Sequence, residues 1–156
     1  MAVTVKCKDL SSRFQNNQTG TVLLSAEDIA KIVKYEEARD EFLKWLGRDY
    51  TIYGQGRTKE YNTSKGGNSA SNHLKCLASD IYIKVDFDEE RVKKYMRKWK
   101  AISEKYGFVG EFGFYPEYQY KTYKGMCHIG GFVTYSKTFT NWKTIGNKQY
   151  TNYYKL

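Results

Sequence analysis

At 156 residues the chain has room for one domain with a core but not comfortably for two, and its 40% hydrophobic and 17% aromatic content excludes a disordered chain. Its 26 basic and 17 acidic side chains leave a net charge of +9, which points to a polyanionic surface: nucleic acid, an anionic membrane or an anionic cell-wall polymer. No apolar run reaches the length of a signal-peptide core or a membrane span, so synthesis in the cytosol without a leader is expected. Three scattered cysteines, Cys7, Cys76 and Cys127, exclude a disulfide framework and a paired-cysteine zinc site.

Ser25 precedes Ala26-Glu27-Asp28, an N-cap followed by acids that favour a helix N-terminus. Ile29, Ile32, Val33, Phe42, Leu43, Trp45 and Leu46 then recur at near-helical spacing, so a helix to about Leu46, closed by Gly47, is predicted. Tyr50-Thr51-Ile52-Tyr53 reads as a short strand, and the Gly-, Ser- and Asn-rich stretch 54–72 as a long functional loop. Alternation from Ala78 to Val85 predicts a strand with Asp80, Tyr82 and Lys84 on one face and Ile81, Ile83 and Val85 on the other.

Asp88 caps a second predicted helix whose Val92, Tyr95, Met96, Trp99 and Ile102 form an apolar stripe, with its Lys and Arg residues on a solvated face. Segments near 109–114 and 126–135 read as strands joined by a Tyr-rich loop over 115–124. The aromatic tail after Lys137 is expected to pack against the body. The fold class is therefore α+β, an antiparallel sheet packed against helices, in a single domain with its motifs within about 8–135 and an aromatic extension over 136–156.

Only two histidines occur, and both stand in settings that suit a metal. His73 and Asp80 are seven residues apart within Ser71-Asn72-His73-Leu74-Lys75-Cys76-Leu77-Ala78-Ser79-Asp80, and His128 lies downstream in Met126-Cys127-His128. Two imidazoles and a carboxylate supply three ligands and leave a fourth position for water, the ligand count of a catalytic zinc site. A lone histidine on a strand is ordinarily a satisfied core residue, and the pairing with Asp80 at this spacing is what favours ligation.

The stretch Gly56-Arg57-Thr58-Lys59-Glu60-Tyr61-Asn62, then Gly66-Gly67-Asn68, then Ser71-x-His73-x-x-Cys76-x-Ala78-x-Asp80, resembles the zinc D-Ala-D-Ala carboxypeptidase family, peptidase M15-like. That family includes phage L-alanyl-D-glutamate endolysins and shares its fold with the hedgehog signalling domain. The resemblance implies one Zn²⁺ held by His73, Asp80 and His128. It also implies that Arg57 grips a substrate carboxylate or a carbonyl near the scissile bond, as a planar guanidinium can. Tyr61 and Ser71 are candidate substrate-binding residues; the plainer alternative for both is a loop anchor, Ser71 through a side-chain bond to backbone.

Three positions depart from the family pattern. Cys76 stands where glycine is usual, either as a buried thiol in a strained backbone or as a fourth, soft ligand. Gly125 stands three residues before His128, where many relatives carry the acid that moves a proton, so the base is Glu117, Glu111, an upstream acid or a non-acid such as Tyr123, with Glu117 the first choice. Gly130 stands two residues after His128, where many relatives carry another acid.

The expected function is zinc-dependent hydrolysis of peptidoglycan stem peptides at a D-residue bond. The enzyme would be a phage-type lysin or a wall carboxypeptidase or endopeptidase, acting as a monomer on an anionic wall after release or as a virion component. The rival is a catalytically degenerate zinc-binding module that recognises wall or a protein partner. Nucleic-acid binding rests on charge and aromatics alone, with no recognised motif, and is not expected.

Overall fold

The computed structural model describes residues 2–6 and 21–156, with side chains from residue 24 onward. Cys7 and the start of the motif-bearing region at residue 8 lie outside the described residues. Strands β1 (Ala2–Lys6) and β2 (Thr21–Ser25) form an antiparallel pair that runs directly into helix α1 (Ala26–Leu46). The predicted cap is present as a reciprocal capping box: Ser25 Oγ accepts from the Asp28 N–H, and an Asp28 carboxylate oxygen accepts from the Ser25 N–H. Gly47 closes the helix at φ 61°, a left-handed conformation that glycine adopts without a Cβ penalty.

The buried face of α1 is Ile32, Tyr35, Ala38, Phe42, Leu43 and Leu46. Ile29, Val33 and Trp45, expected on that stripe, are exposed, because they fall outside the arc that the other six share. Trp45 instead lies beneath the Lys94 and Lys98 ammonium groups.

Strand β3 (Tyr50–Gly54) follows, and the predicted loop 54–72 contains helix α2 (Lys59–Ser64), capped by Thr58, whose side chain accepts from the Tyr61 N–H. A 3₁₀ turn over Asn72–Lys75 leads into β4 (Ala78–Ile83). Helix α3 (Glu89–Lys105) has the expected Asp88 cap, and its whole predicted stripe is buried. Against α1, Trp99 meets Tyr35 and Phe42 edge-on.

The remaining strands are β5 (Glu111–Tyr120), β6 (Tyr123–Gly130), β7 (Thr140–Ile145) and β8 (Lys148–Thr151). The Tyr-rich segment 115–124 is thus mostly strand rather than loop: β5 and β6 form a long hairpin turning at Lys121 and Thr122, with Tyr120 opposite Tyr123. β6 ends at Gly130, earlier than predicted. The aromatic tail supplies β7 and β8, which enlarge the sheet to the order β3-β4-β6-β5-β7-β8. All neighbours are antiparallel except β5 and β7, which are parallel, so the α+β class holds with a mixed sheet.

The two faces of this sheet divide the labour. Ile81, Ile83, Phe112, Phe114, Cys127 and Ile129 face α1 and α3 in the core. The alternate residues, Asp80 and Tyr82 on β4, His128 on β6, Glu111 and Tyr115 on β5, and Thr140 and Trp142 on β7, line an open cleft.

Trp142 lies flat on Gly113, where a Cβ would sit 2.2 Å from its ring. Alanine normally strengthens a strand interior relative to glycine, but here Gly113→Ala must displace the indole. Chemical denaturation should show a loss of about 1–3 kcal/mol with a shifted tryptophan emission; unchanged stability and emission would mean that Trp142 is not seated there.

Candidate metal centre

His73, Asp80 and His128 meet at the floor of the cleft. The 3₁₀ turn carries His73, and the antiparallel pairing of β4 with β6 sets Asp80 directly opposite His128. Asp80 Oδ1 lies 3.3 Å from His73 Nε2 and 3.1 Å from His128 Nδ1. The candidate ligand atoms all lie within 4.8 Å of one another, and all three residues are buried.

Each imidazole is oriented by a partner on its other nitrogen. The Gln55 carbonyl oxygen, 2.5 Å from His73 Nδ1, can only accept, so the proton is on Nδ1 and the Nε2 lone pair faces Asp80. Glu111 Oε1 lies 3.3 Å from His128 Nε2 and accepts from it, so the His128 Nδ1 lone pair faces the same point. Two lone pairs and a carboxylate oxygen converging at one buried point repel unless a cation or proton lies among them. This donor set fits a zinc ion.

The titration behaviour carries the same signature. Burial opposes a charged His128, but its bonds to Asp80 and Glu111 and their charges outweigh that penalty and push its pKa up to about 9. Burial would raise Asp80, yet the charges and hydrogen bonds of His73 and His128 hold its carboxyl well below the usual range. Glu111 is likewise lowered against the effect of burial, by His128 and by the Tyr135 hydroxyl, which donates to Oε2 at 2.8 Å.

Arg57 is brought to the centre. Its guanidinium donates to Asp80 Oδ2 at 3.0 Å, while its Nε–H is a buried donor with no partner among the described residues. Asn62, buried beside it, donates to the Asn68 carbonyl and so clamps the 58–68 segment. Ser71 lines the cleft and caps the His73 turn, its Oγ accepting from the His73 N–H. Tyr61 does not line the cleft; it stands on α2 with Lys65 over its ring.

Glu117 is not brought to the cluster. It is exposed, its carboxylate accepts from the Gly146 N–H in the β7–β8 turn, and Gly113, the residue opposite His128, is four positions back along β5. That is about 13 Å of strand, beyond the reach of a glutamate side chain. Cys76 does adopt positive φ, 60°, but its side chain belongs to the hydrophobic core rather than to the ligand group.

Three contributors escaped the sequence reading. Gln55, fastened between Arg39 and the Cys76 carbonyl, supplies the backbone acceptor for His73. Trp142 packs 5.2 Å from the His128 ring and donates to the Tyr115 hydroxyl. Tyr135 holds Glu111 from the segment after β6. Glu111, named from the sequence only as an alternative base, does carry a local signal: the alternation Glu111-Phe112-Gly113-Phe114 sets it opposite in face to the core phenylalanines.

No helix among the described residues is long and apolar enough to cross a membrane. No curated protein and no solved structure matches the chain. A family model described as peptidase M15 matches residues 3–114, which include Arg57, His73, Asp80 and Glu111 and stop short of His128. Because the matched segment covers most of the sequence, the chain belongs to the peptidase M15 family.

Proposed function

We propose that the protein is a zinc-dependent peptidase that hydrolyses peptidoglycan stem peptides at a D-residue bond, as a phage-type lysin or a wall carboxypeptidase or endopeptidase. The observation that carries this reading is the convergence of His73, Asp80 and His128 at the floor of an open cleft of about 920 Å³. A zinc ion bound there supplies a Lewis acid for the scissile carbonyl and a water whose pKa is lowered to about 7.

The chain's own groups hold and orient. Asp80 turns Oδ1 to the centre because Arg57 engages Oδ2, and the two histidines present opposite nitrogens because Gln55 and Glu111 take the others. The unpartnered Arg57 Nε–H suits a substrate carbonyl or carboxylate entering beside Asp80. Trp142 and the phenols of Tyr82, Tyr115 and Tyr118 wall the cleft, and the net charge of +9 suits an anionic wall.

One observation favours a second reading, a zinc-binding module that recognises wall or a partner without hydrolysis. Among the described residues the only acids lining the cleft are Asp80 and Glu111. Both are engaged, Asp80 by Arg57 and the histidines and Glu111 by His128 and Tyr135.

Digestion of purified peptidoglycan, followed by product mass analysis, separates the two. The peptidase reading expects new amino termini from the wild type, loss of at least about a hundredfold in His128→Ala, and near-wild-type turnover in Glu117→Gln. Stoichiometric zinc with no new amine in the wild-type digest would establish the second reading. A large loss in Glu117→Gln would return the proton-transfer role to that residue.

A further inference from the structure

Glu111 is a buried acid at the start of β5 beside the metal centre, and both of its oxygens have partners. The residue is 5% exposed, Oε1 accepts from His128 Nε2–H at 3.3 Å, and Oε2 accepts from the Tyr135 hydroxyl at 2.8 Å. Burying a carboxylate without such partners would be costly, so its position is dictated by them.

The carboxylate does not come from the strand that carries His128. In the β5–β6 register, Glu111 stands opposite Gly130, and Gly113 stands opposite His128. A Cβ on Gly130 would lie 2.4 Å from Glu111 Oε1 and 2.7 Å from its Cγ. Gly130 is therefore bare where the neighbouring strand's carboxylate passes over it. Its backbone is fixed independently, since the Trp99 indole N–H donates to the Gly130 carbonyl at 3.1 Å.

We propose that Glu111 is the positioning carboxylate of His128, delivered from β5 into the space that Gly130 leaves open, so that a carboxylate grown from position 130 can replace it. Accepting the Nε2 proton holds His128 in the tautomer whose Nδ1 faces Asp80, and it increases the donor strength of that nitrogen. Tyr135 keeps the carboxylate from swinging away. Glu111 stands outside the His-Asp-His ligand group and acts through His128. The inference rests on the metal-centre reading above.

The test is zinc affinity, measured by chelator competition, for the wild type, Glu111→Ala, Glu111→Gln and the double variant Glu111→Gly with Gly130→Asp. Glu111→Gln preserves volume and folding if Glu111→Ala does not. Both single variants should bind zinc about 10–100-fold more weakly, Glu111→Gln less affected because its amide oxygen can still accept. The double variant should recover most of the loss.

A second readout is nitrogen-15 NMR of the two imidazoles, which a chain with only two histidines makes unambiguous. In the zinc-loaded wild type His73 should carry its proton on Nδ1 and His128 on Nε2, and the His128 signature should be lost in Glu111→Ala and restored in the double variant. Wild-type affinity in Glu111→Ala, or a double variant no better than Glu111→Ala, overturns the proposal while zinc binding by the wild type stands. A wild type that binds no zinc overturns the metal-centre reading itself.

Discussion

Asp80→Ala should destabilise the metal-free protein by about 3–5 kcal/mol and abolish stoichiometric zinc binding. Asp80 is 4% exposed and is the common partner of Arg57, His73 and His128. Its removal leaves the Arg57 guanidinium, only 17% exposed in its side chain and already short of one acceptor at Nε, with a buried charge and no counter-ion. An orphaned buried charge costs more than the pair contributed, and that asymmetry sets the size of the effect. Asp80→Asn keeps the volume and one acceptor and should lose less stability but nearly as much zinc affinity. Urea unfolding in chelator isolates the ion pair, and chelator competition reads the ligand. An unchanged unfolding midpoint would show that Arg57 finds solvent instead, and retained zinc stoichiometry would remove Asp80 from the ligand set.

The parts of this centre that could be read from the sequence are those set by local chemistry. Ser25, Gly47 and Asp88 mark helix ends because capping acts over three or four residues, and the α3 stripe repeats with the helical period. His73 and Asp80 come together because a short turn and a strand start span seven residues between them. What stayed hidden depends on register. Glu111 meets His128 only through the β5–β6 pairing, and Arg57 meets Asp80 because β3 ends with Gly54 opposite that residue.

The hairpin itself was masked by composition. The outer half of β5 is exposed and rich in tyrosine and polar side chains, so it lacks the buried-exposed alternation of a half-buried strand. β7 and β8 do not show in the sequence as strands because a parallel β5–β7 pairing leaves no local trace, although Asn141 ties that edge to Tyr154 through two buried hydrogen bonds. The acids expected at Gly125 and Gly130 pose the same difficulty. Gly130 is vacant on its own strand, and the adjoining space is filled by a carboxylate nineteen positions earlier in the chain.

Zinc affinity should rise by about tenfold per pH unit up to pH 9 and then level off, while the metal-free protein loses stability over the upper part of the same range. Both effects come from His128, raised from its ordinary value of 6.5 to about 9 by Asp80 and Glu111 against the effect of burial. A folded-state pKa above the unfolded one gives stability that is fully present below 6.5 and disappears as pH climbs through about 9. Each tenfold gain in proton affinity on folding is worth about 1.4 kcal/mol, so the tighter hold on this proton amounts to a few kcal/mol. Zinc needs the same Nδ1 lone pair that the proton occupies, so below pH 9 each ion bound must release about one proton. Asp80 does not offset this window, because its carboxyl is lowered and its contribution is lost only on acidification. Unfolding in chelator should therefore show stability falling with pH between 6.5 and 9, whereas in excess zinc the gain in affinity offsets that loss and stability should stay nearly level, and calorimetry in buffers of different ionisation enthalpy should count about one proton near neutrality. Metal-free stability that rises between 6.5 and 9, or zinc affinity that ignores pH there, would mean that His128 is not the group that exchanges its proton for the ion.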